Sequence, residues 1–283
     1  SRHYTYIGTL TYVMEACAES GIPILVLDRP NPNGWYVDGP VLESKHASFI
    51  GMHEIPIAHG MTIAEYAHMV NGEGWLKGKV KAEVQTILCE GYDHSMTWQQ
   101  TGLPWVSPSP NIATEYAAYL YPAICWFEAT NVSLGRGTHD AFTILGAPWY
   151  PGQQAARATE AFADPYGLKT EAYSFTPVSL PGKSKEPPFQ DELCQGYRFA
   201  GRVGGRELFL AGLALLSEFA QTAKAVNYRK GIWLYGLERW AGNTDLKKQI
   251  EAGMAPEEIY ASWQNKTDAF RQMRKKYLLY PDF

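Results

Sequence analysis

Apolar residues near the start of the chain follow two spacings, which predict a helix and then a strand. Between Tyr4 and Glu19 they recur every three or four positions, as on one face of a helix, and Gly21 follows as a stop. The next run, 23–27, is continuously apolar and ends at Asp28, which is typical of a strand buried on both faces. A helix that leads into a buried strand is half of a parallel α/β unit. Because a parallel sheet needs neighbouring strands, a partner strand must come from later in the sequence or from a polypeptide outside it.

The same two spacings predict the remaining elements. Thr62 and Glu65 form a capping-box pattern at the start of one helix, and Pro256 stands at a first-turn position of another. Helices are predicted from residue 62 and over 114–127, 152–163, 207–225, 246–252 and 256–276, and strands over 83–90, 170–175 and 197–203. A shift in composition near 116–121 predicts two domains, an α/β domain over residues 1–117 and a mixed α+β domain over residues 118–283.

Composition and charge narrow the classes of partner. Lys and Arg number 25 and Asp and Glu 29, so the net charge is −4 and no basic surplus is present for nucleic-acid binding. The apolar runs are far shorter than the roughly 20 residues that span a bilayer. The four cysteines are scattered and lack zinc-ligand spacing, so we expect buried free thiols and neither a metal nor another cofactor. The aromatic content of 13% fits either a core with its rim or a ring-binding cleft.

One group of candidate polar residues follows the first predicted strand, where open α/β sheets place their ligands. Asp28 there could bind a sugar hydroxyl, and Arg29 could hold a carboxylate through two parallel hydrogen bonds. The alternative is that Asp28 and Arg29 only brace the loop together. His59 precedes a helix N-terminus, where it would contact a ligand or serve as a structural hydrogen-bond donor.

A second group of polar residues surrounds a glycine-rich turn. Glu128 and Asn131 precede Gly135-Arg136-Gly137-Thr138, and the apolar residues 123–127 before Glu128 favour a buried, proton-donating carboxyl group. The sequence lacks the nucleophile elbow of serine hydrolases, the P-loop, the dinucleotide fingerprint and the zinc-protease motif. Hydrolysis of a glycosidic bond needs only two carboxyl groups and a polar cleft, so it becomes the favoured chemistry.

Eight motifs, in this order, resemble those of the exo-β-N-acetylmuramidases of the NamZ family, once grouped as a domain of unknown function. The likeness runs from Arg2 to Tyr280, over nearly the whole chain. The motifs lie at 26–32, 39–42, 55–62, 109–111, 128–131, 135–138, 146–148 and 193–196.

The resemblance implies an exported bacterial glycoside hydrolase, periplasmic or extracellular, with a Rossmann-like N-terminal domain and a smaller mixed α+β C-terminal domain around a cleft. It would release N-acetylmuramic acid from the non-reducing ends of peptidoglycan fragments. The lactyl carboxylate of that sugar needs a cation, which Arg29 or Arg136 would supply. The resemblance assigns catalysis to Glu128 and Asp28. It assigns substrate binding to Arg2, Tyr4, Arg29, Asn31, His59, Asn111, Asn131, Arg136 and Thr138.

Two departures from the family pattern leave alternatives open. The family's upstream Rossmann strands, and its acidic Phe-Gly-Pro-Glu-His-Gly stretch with a candidate catalytic acid, have no counterpart in this sequence. Leu134 also replaces the Glu of the family's Ser-Glu-Gly-Arg-Gly-Thr motif. We therefore expect either a companion N-terminal segment of the same protein that completes the enzyme, or a non-catalytic cell-wall sugar-binding protein. A third alternative, an α/β hydrolase acting on esters or amides, is disfavoured because the sequence lacks the nucleophile motif of that class.

Overall fold

The computed structural model describes residues 1–152, 166–234 and 236–283. They form two compact units of mixed α/β structure. Unit 1 comprises Ser1–Pro104 together with Trp263–Phe283, and unit 2 comprises Trp105–Ser262. The prediction of an α/β protein with two domains is confirmed at this level.

Unit 1 is built around a strand–helix–strand arrangement. Its first elements are α1 (Tyr6–Ser20), β1 (Ile24–Leu27), α2 (Ile63–Gly72) and β2 (Val84–Ile87). The two strands pair in parallel, with Ile24 opposite Val84 and Leu27 opposite Ile87. The partner strand that β1 required is therefore β2, sixty residues further along the same chain.

Local sequence signals fix the ends of both helices. Gly21 ends α1 in the left-handed region at φ 65°, which a residue without Cβ adopts at little cost. At the start of α2 the Thr62 hydroxyl accepts a hydrogen bond from the Glu65 N–H at 3.3 Å. The Glu65 carboxylate in turn accepts one from the Thr62 N–H at 2.8 Å. The predicted capping box is thus confirmed.

The prediction that β1 is buried on both faces is wrong. Val26 is buried in the core of unit 1, which the apolar sides of α1 and α2 complete. On the opposite face, however, Leu25 and Leu27 are 54% and 66% exposed, and Ile87 on β2 is 56% exposed. The continuous apolar run is consistent with two covered faces, but among the described residues helices cover only one of them.

Unit 2 combines helices with a three-stranded antiparallel sheet. Its elements are α3 (Glu115–Ile124), β3 (Ile144–Ala147), β4 (Lys169–Phe175), β5 (Cys194–Ala200), α4 (Gly205–Ala225), α5 (Leu237–Ala241) and α6 (Asp245–Glu251). The strand order is β3-β5-β4. Helix α4 is the central core element, and a Cβ at Gly212 would collide with the Ala123 carbonyl, so α3 and α4 pack in close contact.

The last helix, α7 (Pro256–Arg274), begins in unit 2 and belongs to unit 1 from Trp263 onward. Within unit 1, the Thr267 hydroxyl donates to the Gly39 carbonyl at 3.0 Å and Arg271 donates to the Val37 carbonyl at 2.6 Å. These hydrogen bonds join α7 to the loop that follows β1.

Most predicted elements are present, with a few differences. The helix predicted over 114–127 ends at Ile124 and continues as a 3-10 helix, Cys125–Ala129. Strand β3 and helix α5 were not predicted, and the helix predicted over 152–163 lies outside the described residues from position 153. All four cysteines are free thiols, of which Cys125 and Cys194 are buried. Across the described ranges, no helix has the length and apolar character needed to cross a membrane.

The one-sided sheet makes a prediction about adjacent residues of β1. Val26→Ala should lower the free energy of unfolding by about 2 kcal/mol, because it removes buried methyl groups. Leu27→Lys should change it by no more than about 0.5 kcal/mol, since that side chain faces solvent. Urea denaturation of the two variants measures both values, and a large loss with Leu27→Lys would show that the face is covered in the isolated chain.

Candidate functional site

Asp28 lies at the carboxyl end of β1 and connects that strand to α2. One of its carboxylate oxygens accepts a hydrogen bond from the Ala64 N–H at 3.0 Å, in the first turn of α2. The other accepts one from the Tyr280 hydroxyl at 2.6 Å. A negative charge at a helix N-terminus is stabilised by the helix dipole and by the unpaired amides there. Asp28 thus holds three segments of unit 1 in register.

Tyr280 is the least expected of these partners. Its hydroxyl donates to Asp28 and accepts a hydrogen bond from the Cys89 N–H at 3.0 Å, just after β2. Burial, together with the hydrogen bond to Asp28, raises the pKa of Tyr280, so its hydroxyl stays protonated at neutral pH. One phenol therefore joins the ends of both parallel strands.

The C-terminal segment around Tyr280 is held by further hydrogen bonds within unit 1. The Leu279 N–H donates to the Glu65 carboxylate at 2.9 Å, and the His94 N–H donates to the Pro281 carbonyl at 3.1 Å. Glu65 also pairs with the His94 ring at 2.9 Å, and both of these side chains are fully buried. These hydrogen bonds fix the C-terminal segment to α2 and to the segment that follows β2.

Arg29 and Asn31 follow Asp28 in the same loop but have different roles. The Asn31 amide nitrogen donates to the Met61 carbonyl at 2.9 Å, and its oxygen accepts from the Asn33 N–H at 2.9 Å, so this side chain shapes the loop. Arg29 is exposed and makes no hydrogen bond or ion pair with any residue that the structure describes. It does not brace Asp28, and its guanidinium group is available to an anion.

Three other predicted residues of unit 1 are packed into its structure. Arg2 is buried and donates to the carbonyls of Pro40 and Ile55, both at 2.9 Å. His59 is buried, and its Nδ1 accepts from the Met61 N–H at 3.3 Å. Burial, aided by nearby positive charges, lowers the pKa of His59 well below its usual value, so the ring is neutral. Tyr4 is half-buried and stacks near Tyr6, with ring centroids 6.1 Å apart.

In unit 2 the two charged candidates form an ion pair. Arg136 Nη2 lies 2.8 Å from Glu128 Oε2, and both side chains are partly accessible. The Tyr121 hydroxyl donates to the other carboxylate oxygen of Glu128 at 3.1 Å. The Arg136 guanidinium also lies 4.9 Å from the centre of the Phe142 ring. Both groups are thereby held in fixed positions while remaining open to solvent.

The glycine-rich turn that carries Arg136 requires its glycines. Gly135 and Gly137 have φ values of 72° and 84°, and a Cβ at either position would collide with Ile144 or Pro187. The Thr138 hydroxyl donates to the Gly135 carbonyl at 2.7 Å, which closes the turn. Leu134 is buried, so the position that carries a Glu in the family pattern contributes to the core in this chain.

The two remaining asparagines bond to neighbouring loops of unit 2. Asn131 donates from its side chain to the Gly231 carbonyl at 2.8 Å and from its backbone to the Ile232 carbonyl at 2.7 Å. Asn111 is buried and donates to the Lys183 carbonyl at 3.2 Å, while its own amide oxygen has no hydrogen-bond partner among the described residues.

The structure thus groups the predicted residues within each unit. Asp28, Arg29 and Asn31 lie at the end of β1 and in the loop after it, and His59 lies in the loop before α2. Hydrogen bonds of Asn31 to Met61 and of Asp28 to Ala64 connect these two segments. Glu128 and Arg136 form the group in unit 2. The sequence reasoning missed Tyr280, Cys89, His94 and Tyr121, and recognised Glu65 only as a helix cap. Of these, only Tyr121 carried a signal, because it lies two helical turns before Glu128. No cluster of three or more metal-binding side chains occurs among the residues described.

Comparison with known families shows which family the chain belongs to. The family model described as "Exo-beta-N-acetylmuramidase NamZ, N-terminal" matches residues 1–116, and the corresponding C-terminal model matches residues 119–280. The chain belongs to the NamZ family.

Three relatives show how far the likeness to NamZ-family proteins extends. A Bacillus subtilis (strain 168) protein named peptidoglycan beta-N-acetylmuramidase NamZ is 36% identical over 99% of this chain. The chain spans 65% of that relative's length. Two crystal structures of DUF1343 family proteins from Bacteroides fragilis are similar, with TM-scores of 0.85 and 0.86 and identities of 39% and 26%. The alignments cover 100% and 99% of this chain and 73% and 72% of those chains.

The Tyr280 contact predicts a measurable loss of stability. Tyr280→Phe leaves one oxygen of the buried Asp28 carboxylate, and the Cys89 N–H, without their hydrogen-bond partner, so the free energy of unfolding should fall by about 1–3 kcal/mol. Tyr12→Phe is the matched control, since Tyr12 is exposed and its hydroxyl makes no hydrogen bond with a described residue. Equal denaturation midpoints for the two variants would contradict the structural role of Tyr280.

Proposed function

We propose that this NamZ-family protein takes part in the hydrolysis of peptidoglycan as an exo-β-N-acetylmuramidase, releasing N-acetylmuramic acid from non-reducing ends. The family description and the name of the Bacillus subtilis relative support this reaction. The observation that carries the proposal is the fixed pair of Glu128 and Arg136, which places a carboxylate and a cation 2.8 Å apart in a partly exposed position. A glycosidase that recognises an acidic sugar needs both kinds of group.

Glu128 is our candidate for the group that acts at the glycosidic bond. Glycosidases use one carboxyl group to protonate the leaving oxygen and a second carboxylate as base or nucleophile. The hydrogen bonds from Tyr121 and Arg136 hold Glu128 in one orientation, which favours a defined geometry toward a bound sugar. We assign Asp28 to holding the Arg29 loop, because its side chain is buried and its two oxygens bind α2 and Tyr280, whereas Glu128 is partly accessible.

Arg29 and Arg136 are our candidates for recognition of the lactyl carboxylate. Arg29 has no partner among the described residues, so a substrate carboxylate would replace only water. Arg136 uses one nitrogen for Glu128, and its planar fork has further donors. A guanidinium group binds a carboxylate through two parallel hydrogen bonds and so distinguishes muramic acid from glucosamine.

We further propose that unit 1 belongs to a Rossmann-like domain and that a strand-and-helix segment of the same protein, outside this sequence, covers the exposed side of its sheet. The parallel β1 and β2 support this, because strands of parallel sheets are usually covered on both faces. The apolar side chains Leu25, Leu27 and Ile87 would supply the buried contact. Leu27→Lys, neutral in the isolated chain, should then weaken association with that segment.

We also propose a domain boundary between residues 117 and 118. We further propose that the protein is exported to the periplasm or the cell exterior, where polymeric peptidoglycan lies.

A second function, sugar binding without turnover, is favoured by one observation. Leu134 is buried at the position where the family motif has a Glu, so no carboxylate is available there. The two functions differ in a single measurable property, because a binding protein retains N-acetylmuramic acid without releasing it from a glycoside.

Release of the chromophore from an aryl β-N-acetylmuramide tests the proposed reaction. Glu128→Gln should lower kcat by about 10²–10⁴-fold, because the amide cannot transfer a proton. Glu186→Gln, at an exposed position in the same unit, is the matched control and should leave kcat unchanged. If the folded wild-type protein shows no turnover while calorimetry detects bound N-acetylmuramic acid, the binding function replaces the enzymatic one.

Two sugars that differ in the lactyl carboxylate test the role of Arg29. Arg29→Gln should weaken binding of an N-acetylmuramic acid derivative by about 10–100-fold, because one charge-assisted contact is lost. Binding of the N-acetylglucosamine counterpart, which has no lactyl carboxylate, should change little. Arg229→Gln is the control, as Arg229 is also exposed but lies in unit 2 outside both residue groups. Equal losses for both sugars would show that Arg29 does not recognise the carboxylate.

A further inference from the structure

A groove in unit 2 lies apart from the residues assigned to catalysis. Its volume is about 630 Å³, within the range of small-molecule sites, and it opens where the end of α4, the loop after α4 and the end of α6 meet. Its lining includes the side chains of Gln221, Lys224, Tyr228, Trp233, Ile250 and Glu251. Neither Glu128 nor Arg136 lines it.

The aromatic part of the groove is held in place by its neighbours. Tyr228 stacks on Trp149 with ring centroids 4.9 Å apart and planes 19° from parallel. Trp149 is fixed in turn, because its indole N–H donates to the Asn131 carbonyl at 3.0 Å. Trp233 pairs through its backbone with Thr130. Both groove rings therefore sit on a supported loop and present preformed apolar surface.

The polar side chains at the rim of the groove are exposed and are not bonded to other described residues. Gln221 and Lys224 on α4 and Glu251 at the end of α6 are all exposed. None of these three side chains makes a hydrogen bond or an ion pair with another described residue. They supply donors, a cation and an acceptor around the two rings.

We propose that this groove binds a saccharide of at least two rings. A pyranose has one face of C–H groups that packs on an aromatic ring and an edge of hydroxyl groups that bonds to polar side chains. The groove offers the same combination, with Tyr228 and Trp233 on its surface and Gln221, Lys224 and Glu251 at its rim. The saccharide class follows from the groove itself, and only the choice of N-acetylated sugars as probes rests on the proposed function.

An extended peptide is a poorer fit to the same groove. A bound peptide strand needs free carbonyl and N–H groups along the segment that it joins. The carbonyls of Gly231 and Ile232 already accept hydrogen bonds from Asn131, at 2.8 and 2.7 Å. The Leu234 N–H likewise donates to the Ala129 carbonyl at 2.9 Å. The groove loop therefore has little backbone left with which to add a strand.

Calorimetric titration of the intact chain with N,N′,N″-triacetylchitotriose tests the proposal. We expect saturable binding to the wild type, about tenfold weaker binding for Trp233→Ala, and a smaller loss for Lys224→Ala and for Glu251→Ala. The two rim variants alter exposed residues whose side chains bond to no described residue, so they keep the test valid if Trp233→Ala fails to fold. Lys248→Ala is the matched control on the exposed side of α6, and it should bind like the wild type.

Three results would overturn the groove as a saccharide site. They are the absence of binding at millimolar chitotriose, binding that Trp233→Ala and both rim variants leave unchanged, and displacement of bound chitotriose by a lower concentration of the peptide N-acetylalanyl-isoglutamine. A loss of chitotriose binding in Glu128→Gln would also overturn it, because the sugar would then occupy the candidate catalytic site. Glycoside turnover by Lys224→Ala should equal that of the wild type, which separates this proposal from the proposed function.

Discussion

The hydrogen bonds to the Asp28 carboxylate are the constraint on which unit 1 depends. The Ala64 N–H and the Tyr280 hydroxyl donate to its two oxygens, so the end of β1, the start of α2 and the C-terminal segment are fixed to one another. A buried carboxylate without these partners would be costly, and with them it is stabilised by a phenol, an amide and a helix dipole. The exposed Arg29 lies one residue beyond this junction, so the position of its cation depends on the same hydrogen bonds.

In the second candidate group, a carboxylate is again held in one position, but here by an arginine and a tyrosine. The Glu128 carboxylate is neutralised by Arg136 and oriented by Tyr121, while two glycines with positive φ place Arg136 beside it. Leu134 continues that turn into the core, so the turn is stabilised by apolar packing. Each candidate group thus combines a carboxylate fixed by hydrogen bonds with an arginine that is at least partly open to solvent.

The parts of the structure that depend on nearby residues were predictable from sequence. The capping box of Thr62 and Glu65 and the stop at Gly21 involve residues within a few positions of their helix ends, and both are present. The four-residue strand β3 was missed, since so short an apolar run fits either helix or strand. The exposure of Leu27 could not be predicted either, because burial of a strand face depends on elements far away in sequence.

The candidate site shows the same division. Sequence motifs indicated Asp28, Glu128 and Arg136 as candidate site residues. No spacing rule, however, predicts that Glu128 pairs with Arg136 across a glycine turn. Tyr280 reaches Asp28 across 252 positions of sequence, and a single tyrosine near a chain end carries no signal for such a contact. The family resemblance suggested the proposed chemistry, whereas tertiary contacts determine the hydrogen bonds that each side chain makes.

The most direct measurement of the central claim is a crystal structure of the Glu128→Gln variant with N-acetylmuramic acid. The account predicts the lactyl carboxylate about 2.7–2.9 Å from the guanidinium nitrogens of Arg29 or Arg136. A sugar bound with its carboxylate in contact with neither arginine would contradict it.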